Sequence, residues 1–257
     1  MFHETSIDFI PSPLGWARRI LPVTIVIAAL LGFNGAASAT MITSTTGQLT
    51  AIAPPLSVLE EALESDTQFF IFQEIVSFLL PSNLAVDATA AGTYTADPPN
   101  TSIAGNTRVD SYFVHADPLD TDSGGSASPI TYINSSVTFS RPVLGIIAQR
   151  QLLDLSDPLL GYDGPPPTQY PGIPPPSAAS LFRGTLDTAG GGDSITISAD
   201  KLTVTFNTYQ VGNNFLEQLR IIVEADPVVA MSEPGSLGLF SSLLIVLGWF
   251  SRHKRVI

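Results

Sequence analysis

The sequence predicts an all-β protein, with a single jelly-roll-like β-sandwich domain at residues 40–230 between two apolar ends. Two observations indicate this fold class. Short segments rich in Thr, Val, Ile, Phe and Tyr alternate with clusters of Gly, Pro, Asn and Asp, which is the pattern of strands and turns. Within these segments apolar residues recur at every second position, and no long stretch has the spacing of an amphipathic helix.

The strand predictions rest on this alternation. In 201–207 the side chains of Leu202, Val204 and Phe206 fall on one face, and the threonines between them fall on the other. The same pattern predicts strands at 109–116, 135–140, 143–148, 194–198 and 219–225, and an apolar run at 67–74 is a further candidate.

Three segments deviate from the pattern. Residues 57–64 place Leu59 and Leu63 at helical spacing after two prolines, which predicts a short helix with Ser57 as its N-cap. Residues 149–155 predict a helical turn. Residues 158–176 contain eight prolines, so we expect an extended and solvated segment that either separates two domains or forms a surface insertion between strands.

The N-terminal end has the three parts of a secretory signal peptide, predicted for residues 1–39. Arg18 and Arg19 precede an apolar stretch at 20–33, and Ala37 and Ala39 fit an A-x-A cleavage site. Cleavage there leaves Thr40 as the first mature residue. The alternative is an N-terminal helix that stays attached as an anchor.

The C-terminal end, residues 231–257, carries a second apolar segment. Glu233, Pro234 and Gly235 precede a predicted single transmembrane helix at about 236–250, and Arg252, Lys254 and Arg255 follow it. The apolar run 237–250 has 14 residues, or 16 counted from Gly235, and as a helix it spans roughly 21–24 Å against about 30 Å of bilayer hydrocarbon. The basic residues would stay on the cytoplasmic side. The alternative is a plain membrane anchor that is never processed.

This tail resembles the sorting tail of PEP-CTERM proteins, although Ser232 stands where that family usually has a proline. Short phrases of the body, among them 109–115 and 143–146, are similar to a domain that recurs in such precursors. The resemblance implies secretion machinery and an exosortase-type processing enzyme as partners. It also implies membrane insertion, at least transiently, through the C-terminal helix, and a cell envelope or extracellular matrix rich in exopolysaccharide.

Charge excludes one class of partner. Residues 40–232 contain 20 acidic and six basic side chains, and the chain has no cysteine. Such an acidic surface repels nucleic acid and lacks the basic stripe of a DNA or RNA reader. It is typical of a soluble exported protein or of one that collects divalent cations. Without cysteine the domain has neither disulfides nor zinc–thiolate sites.

Catalytic patterns are weak in this sequence. His115 is the only histidine between residues 40 and 232, so any Ser-His-Asp triad must use it. It shares a predicted strand face with Val109, Ser111 and Phe113, which favours a structural histidine. The chain has no G-x-S-x-G elbow, no phosphate-binding loop and no dinucleotide fingerprint. We therefore expect no enzyme and no cofactor.

One loop could hold a metal ion. Asp117, Asp120 and Asp122 lie within six residues, in a segment that ends in two glycines. Closely spaced carboxylates can supply several oxygen ligands to calcium. The alternative is a solvated acidic turn.

The sequence thus predicts an exported bacterial surface or matrix protein with a structural or adhesive role. A carbohydrate-binding module is the alternative, and a secreted hydrolase or lyase is a third. Exposed aromatic side chains would mark a glycan site, and the candidates are Tyr94, Tyr112, Tyr132, Tyr162 and Tyr170.

Overall fold

The computed structural model describes residues 41–95, 98, 100–119, 130–172, 183–186, 193–210 and 216–226. All of them belong to one compact unit, Ser38–Val228. Both predicted ends lie outside these residues: the signal peptide with Ala37, Ala39 and Thr40, and the tail with Glu233, Pro234, Gly235, Arg252, Lys254 and Arg255. Asp120, Asp122 and the side chain of Tyr132 also lie outside them.

The described part of the chain is mostly β, as predicted. Its twelve strands are β1 (Ile42–Thr46), β2 (Leu49–Ala51), β3 (Phe69–Leu79), β4 (Leu84–Val86), β5 (Gly92–Tyr94), β6 (Thr101–Ile103), β7 (Arg108–Ala116), β8 (Ile130–Phe139), β9 (Val143–Ile147), β10 (Ser194–Ile197), β11 (Thr203–Gln210) and β12 (Glu217–Glu224). One α-helix, α1 (Arg150–Leu160), follows β9. No helix among the described residues has the length and apolar character needed to cross a membrane.

The strands form two five-stranded sheets and one small pair. The first sheet has the order β1-β8-β11-β10-β5, and the second has the order β2-β3-β7-β12-β9. All neighbours are antiparallel except β2 and β3. The strands before and after residues 158–176 pair with each other in both sheets, β8 with β11 and β7 with β12.

A shared apolar core holds the two sheets together. Val137, Ile195 and Phe206 of the first sheet belong to the same buried cluster as Tyr112 and Ile221 of the second. In the first sheet burial alternates along β11, because only one face meets the core. In the second sheet β7 and β12 are buried at nearly every position, which shows that a further layer covers their other face.

That further layer consists of α1, the segment 161–172 and the turn around Val58. Val58, Leu153, Leu160 and Tyr170 pack against Phe113 and its neighbours in a second buried cluster. The amphipathic spacing of α1 explains its orientation, because Leu152, Leu153, Ser156, Asp157 and Leu160 are its buried residues.

The sequence pattern singles out three segments of this layer: two differ from the prediction, and the helical turn is confirmed and is longer than predicted. Residues 57–64 form no helix: the backbone of Glu61 has φ 66°, and Ser57 and Glu64 make isolated β-bridges. The helical turn at 149–155 is the start of α1, which continues through Pro158. The described part of the proline-rich segment is solvated only in part: Pro165, Pro166 and Pro167 are exposed, but Pro158 is helical and both Thr168 and Tyr170 are buried.

Candidate functional site

The most highly charged buried site of the described residues lies between the second sheet and α1. We call it the arginine cluster: Arg220 of β12, Glu74 of β3, Asp157 of α1, and Arg183. All four side chains are fully buried. Charged side chains are rarely buried without a partner, because desolvation of a charge costs several kcal/mol.

Arg220 has a partner for each of its guanidinium nitrogens. Its Nε donates to Oε2 of Glu74 at 2.7 Å, and Nη2 donates to Oε1 of Glu74 at 2.6 Å and to Oδ1 of Asp157 at 3.0 Å. Its Nη1 donates to the hydroxyl of Ser156. The planar guanidinium thus joins a strand on one side to the helix on the other.

The second arginine completes the pairing of Asp157. Arg183 Nη1 lies 2.5 Å from Oδ2 of Asp157 and 2.9 Å from Oδ1 of Asp154. The amide of Gly172 also donates to Asp157 Oδ2, at 3.1 Å. Asp157 therefore fastens both arginines and the end of the 161–172 segment to α1.

Aromatic rings enclose the charges. The guanidinium carbon of Arg220 lies 5.1 Å from the ring centre of Phe113 and 5.8 Å from that of Tyr170. Burial lowers the pKa of Arg220, but the carboxylates of Glu74 and Asp157 raise it more, and the result lies well above the ordinary value. Burial and the charge of Glu74 raise the pKa of Tyr170 as well. Arg220 is therefore a permanent cation here, unsuited to exchanging protons.

The hydroxyl groups of the cluster are also engaged. Ser111 Oγ donates to Oε2 of Glu74 at 2.6 Å, and Ser156 Oγ donates to the carbonyl of Leu153 at 3.0 Å. The carboxylate that accepts from Ser111 is itself paired with Arg220, and Ser156 donates to a backbone carbonyl, so neither serine lies beside an unpaired base. The arrangement is suited to holding α1 against the sheet.

His115 lies close to this cluster, on the β7 face that also carries Val109, Ser111 and Phe113. Gln218 Nε2 lies 3.1 Å from Nδ1 of His115 and donates to the carbonyl of Val58 as well. Because the amide nitrogen can only donate, Nδ1 accepts and the ring proton belongs on Nε2. Burial and the charge of Arg183 lower the pKa of His115 to about 3. The ring is therefore a neutral, buried side chain.

Of the three candidate calcium ligands, Asp117 is the one that lies within the described residues, and it has partners in the protein. Its Oδ2 accepts from the amide of Glu61 at 2.7 Å, and its carbonyl accepts from the amide of Ser65 at 2.6 Å. Burial raises the pKa of Asp117 to about 7, and the charges of Glu64, Glu60 and Glu61 add to the rise. Across the described ranges, no three metal-ligating side chains converge.

Most of the tyrosines considered for a glycan site do not expose their rings to solvent. Tyr112 of β7 and Tyr170 of the segment 161–172 are buried in the two apolar clusters, contrary to a role in stacking on a glycan. Tyr94 is half-buried against the core, with its hydroxyl donating to the carbonyl of Ala90 at 2.7 Å. Tyr162 is half-buried too.

The outer face of the first sheet has a different chemistry. The strand register aligns one hydroxyl residue from each of its five strands, which we call the hydroxyl row: Thr46, Ser136, Thr205, Thr196 and Thr93. Thr46 and Ser136 lie 2.7 Å apart at their oxygens, and Thr93 and Thr196 lie 2.9 Å apart. The row is an uncharged, hydrogen-bonding surface on an acidic protein.

The sequence pattern does not predict the arginine cluster. Arg220 alternates with Leu219 and Ile221, so the pattern places it on a solvent face. The same face of β12 also carries Ile222, and the same face of the neighbouring strand β7 carries Val109 and Phe113. A face with these apolar residues is too apolar to be exposed to water, which indicates that another layer covers it.

Comparison with known proteins adds no assignment: no family model, no curated protein and no solved structure matches this chain.

Proposed function

We propose that this chain is an exported component of a bacterial surface or extracellular matrix, with a structural or adhesive role and without catalysis. The observation that carries the proposal is the C-terminal sequence, in which Glu233, Pro234 and Gly235 precede an apolar helix-length segment and a basic end. At the other end of the chain, the predicted signal peptide at residues 1–39 also supports export.

In this proposal the middle of the chain is a jelly-roll-like β-sandwich that persists after processing. The charged side chains of the arginine cluster form ion pairs with one another, and His115 is neutral and buried. Both features support a scaffold rather than a catalytic site. An exosortase-type enzyme would process the tail after the helix has entered the membrane.

A carbohydrate-binding role is the second candidate, and the hydroxyl row favours it. The row offers hydroxyl donors and acceptors across five neighbouring strands, spaced about 4.8 Å apart. A neutral polyol could exchange hydrogen bonds with such a face. This candidate is compatible with an adhesive role in a matrix.

The intact mass of the protein from the envelope and the medium of its native host tests the leading proposal. We expect a mass that corresponds to Thr40 through a residue near Ser232. Replacing Glu233, Pro234 and Gly235 with alanines should leave the tail attached. A matched replacement of Asp226 and Pro227 with alanines should be processed normally. A wild-type mass that retains residues 236–257 contradicts processing and leaves a tethered membrane protein.

A further inference from the structure

An open pocket of about 330 Å³ lies away from the arginine cluster, beside the turn between β10 and β11. The hydroxyl residues Thr89, Ser102 and Thr107 line it together with Lys201, and Val143 and Leu144 contribute an aliphatic wall. A volume of roughly 300 Å³ is at the lower end of what small-molecule sites use. The lining combines hydrogen-bonding groups, one cation and an apolar surface.

Lys201 differs from most basic side chains of the described residues. Arg141, Arg150, Arg183 and Arg220 each pair with at least one carboxylate. Lys201 Nζ instead donates to the carbonyl oxygen of Thr89 at 2.8 Å. An ammonium group has three donors, so this bond leaves two of them for another partner.

The neighbouring carboxylate is already engaged. Asp200 Oδ1 accepts from the hydroxyl of Ser198 at 2.6 Å and from the amide of Leu202 at 3.0 Å. These bonds hold the carboxylate within its own turn. Among the described residues, Asp200 and Lys201 form no ion pair, so this carboxylate does not occupy the remaining donors of the lysine.

The backbone conformation at Lys201 is unusual for a lysine. Lys201 has φ 58°, a left-handed conformation that glycine or asparagine adopts more readily than lysine. Its amide donates to the carbonyl of Ser198 at 2.9 Å, and its carbonyl accepts from the amide of Val143 at 2.7 Å. A long cationic side chain thus occupies a turn position that favours smaller residues, and it lines the pocket.

We propose that this pocket binds a carboxylated sugar unit, such as a hexuronate. The carboxylate accepts hydrogen bonds from the free donors of Lys201. The sugar hydroxyls exchange hydrogen bonds with Ser102, Thr107 and Thr89, and the C–H face of the ring packs on Leu144. The biological setting rests on the proposed matrix role, but the binding itself does not depend on processing of the tail.

Calorimetric titration of the full-length protein in mild detergent, with sodium glucuronate and with glucose as probes, tests the site. We expect glucuronate to bind at least about tenfold more tightly than glucose, since one charge-assisted hydrogen bond accounts for such a factor. K201Q should weaken glucuronate binding about tenfold, and K201R should retain most of it. R150Q removes a positive charge elsewhere and should leave binding unchanged.

Titration with a glucuronate oligomer distinguishes between a polysaccharide and a free sugar acid as the source of the ligand. Tighter binding of the oligomer than of the monomer indicates an acidic polysaccharide, and equal binding per unit indicates a free sugar acid. Equal affinity for glucose and glucuronate overturns the proposal, as does unchanged glucuronate binding in a K201Q protein whose melting temperature matches wild type. Neither result bears on the mass of the exported protein, so failure of this site and failure of the proposed export are distinguishable.

Discussion

The outer face of the first sheet is exposed to solvent, whereas the outer face of the second sheet is covered by a further layer. The first sheet presents the hydroxyl row to solvent, and burial along β11 alternates between Val204 and Thr205. The second sheet carries Phe113 and Arg220 on its outer face, and α1 and residues 161–172 cover both. A charged residue within a strand therefore lies either on a solvent-exposed face or in an ionic contact with a further layer, and the neighbouring residues on that face distinguish the two cases.

The largest expected effect comes from breaking the covered face. Arg220→Met leaves the carboxylates of Glu74 and Asp157 buried without their shared partner. We expect the free energy of unfolding to fall by about 3–5 kcal/mol, as for other broken buried ion pairs. Urea denaturation of the full-length protein measures the change.

Arg141→Met is the matched control. Arg141 also contacts two carboxylates, at 3.1 Å from Glu224 and 3.6 Å from Asp226, but its side chain is 33% exposed. We expect a loss below about 1 kcal/mol, because water screens the pair. Similar losses in the two variants would contradict the view that the arginine cluster holds the layer.

Two buried groups, Asp117 and His115, should make the stability of the folded protein depend on pH in opposite directions. The pKa of Asp117 rises from 3.8 to about 7 on folding, so its contribution to stability is present below pH 4 and is lost as the pH rises through 7. The pKa of His115 falls from 6.5 to about 3, so its contribution is present above pH 6.5 and is lost as the pH falls toward 3. Between about pH 4 and 6.5 the two contributions offset each other.

Single variants should expose each contribution. With D117N we expect stability to fall relative to wild type between pH 6.5 and 4.5, by about 1–3 kcal/mol. With H115N we expect the opposite slope. Urea midpoints at pH 6.5 and 4.5 give the comparison, and parallel pH curves for all three proteins would show that these two groups do not titrate as described.

The smallest effect is expected on the exposed face of the first sheet. Thr205→Val should change stability by less than about 0.5 kcal/mol, because the side chain lies on the solvent face. The reciprocal change one residue earlier, Val204→Thr, puts a hydroxyl into the core between the sheets and should cost about 1–3 kcal/mol. Thermal unfolding of both variants measures the contrast, and equal shifts would contradict the assigned faces.

Much of the first sheet could be predicted from the sequence, because its two faces differ. The prediction of a strand at 194–198 matches β10 (Ser194–Ile197), whose Ile195 and Ile197 are buried. The predicted strands at 194–198 and 201–207 leave two residues between them, but five residues connect β10 and β11, which begins at Thr203. Lys201 lies in this connection with a left-handed backbone. Local alternation carries this information without reference to the rest of the chain.

The covering layer could not be predicted, because distant contacts determine it. Glu74 and Arg220 are 146 positions apart, and the turn at Glu61 is held by Asp117, 56 positions away. Leu59 and Leu63 do have helical spacing, but the long-range hydrogen bond accompanies a backbone conformation that a helix cannot adopt. Arg183 lies beyond the proline-rich segment, and nothing local relates it to Asp157.

Native-state hydrogen exchange on the full-length protein tests whether the arginine cluster makes α1 part of the same cooperative unit as the second sheet. We expect the amides of Leu153 and Ser156 to exchange with a free energy close to that of Ile221 and Ile222 in β12, through global unfolding. In R220M the helix amides should exchange faster by local opening. If α1 already opens in wild type while β12 stays protected, the cluster does not couple them and the account is wrong.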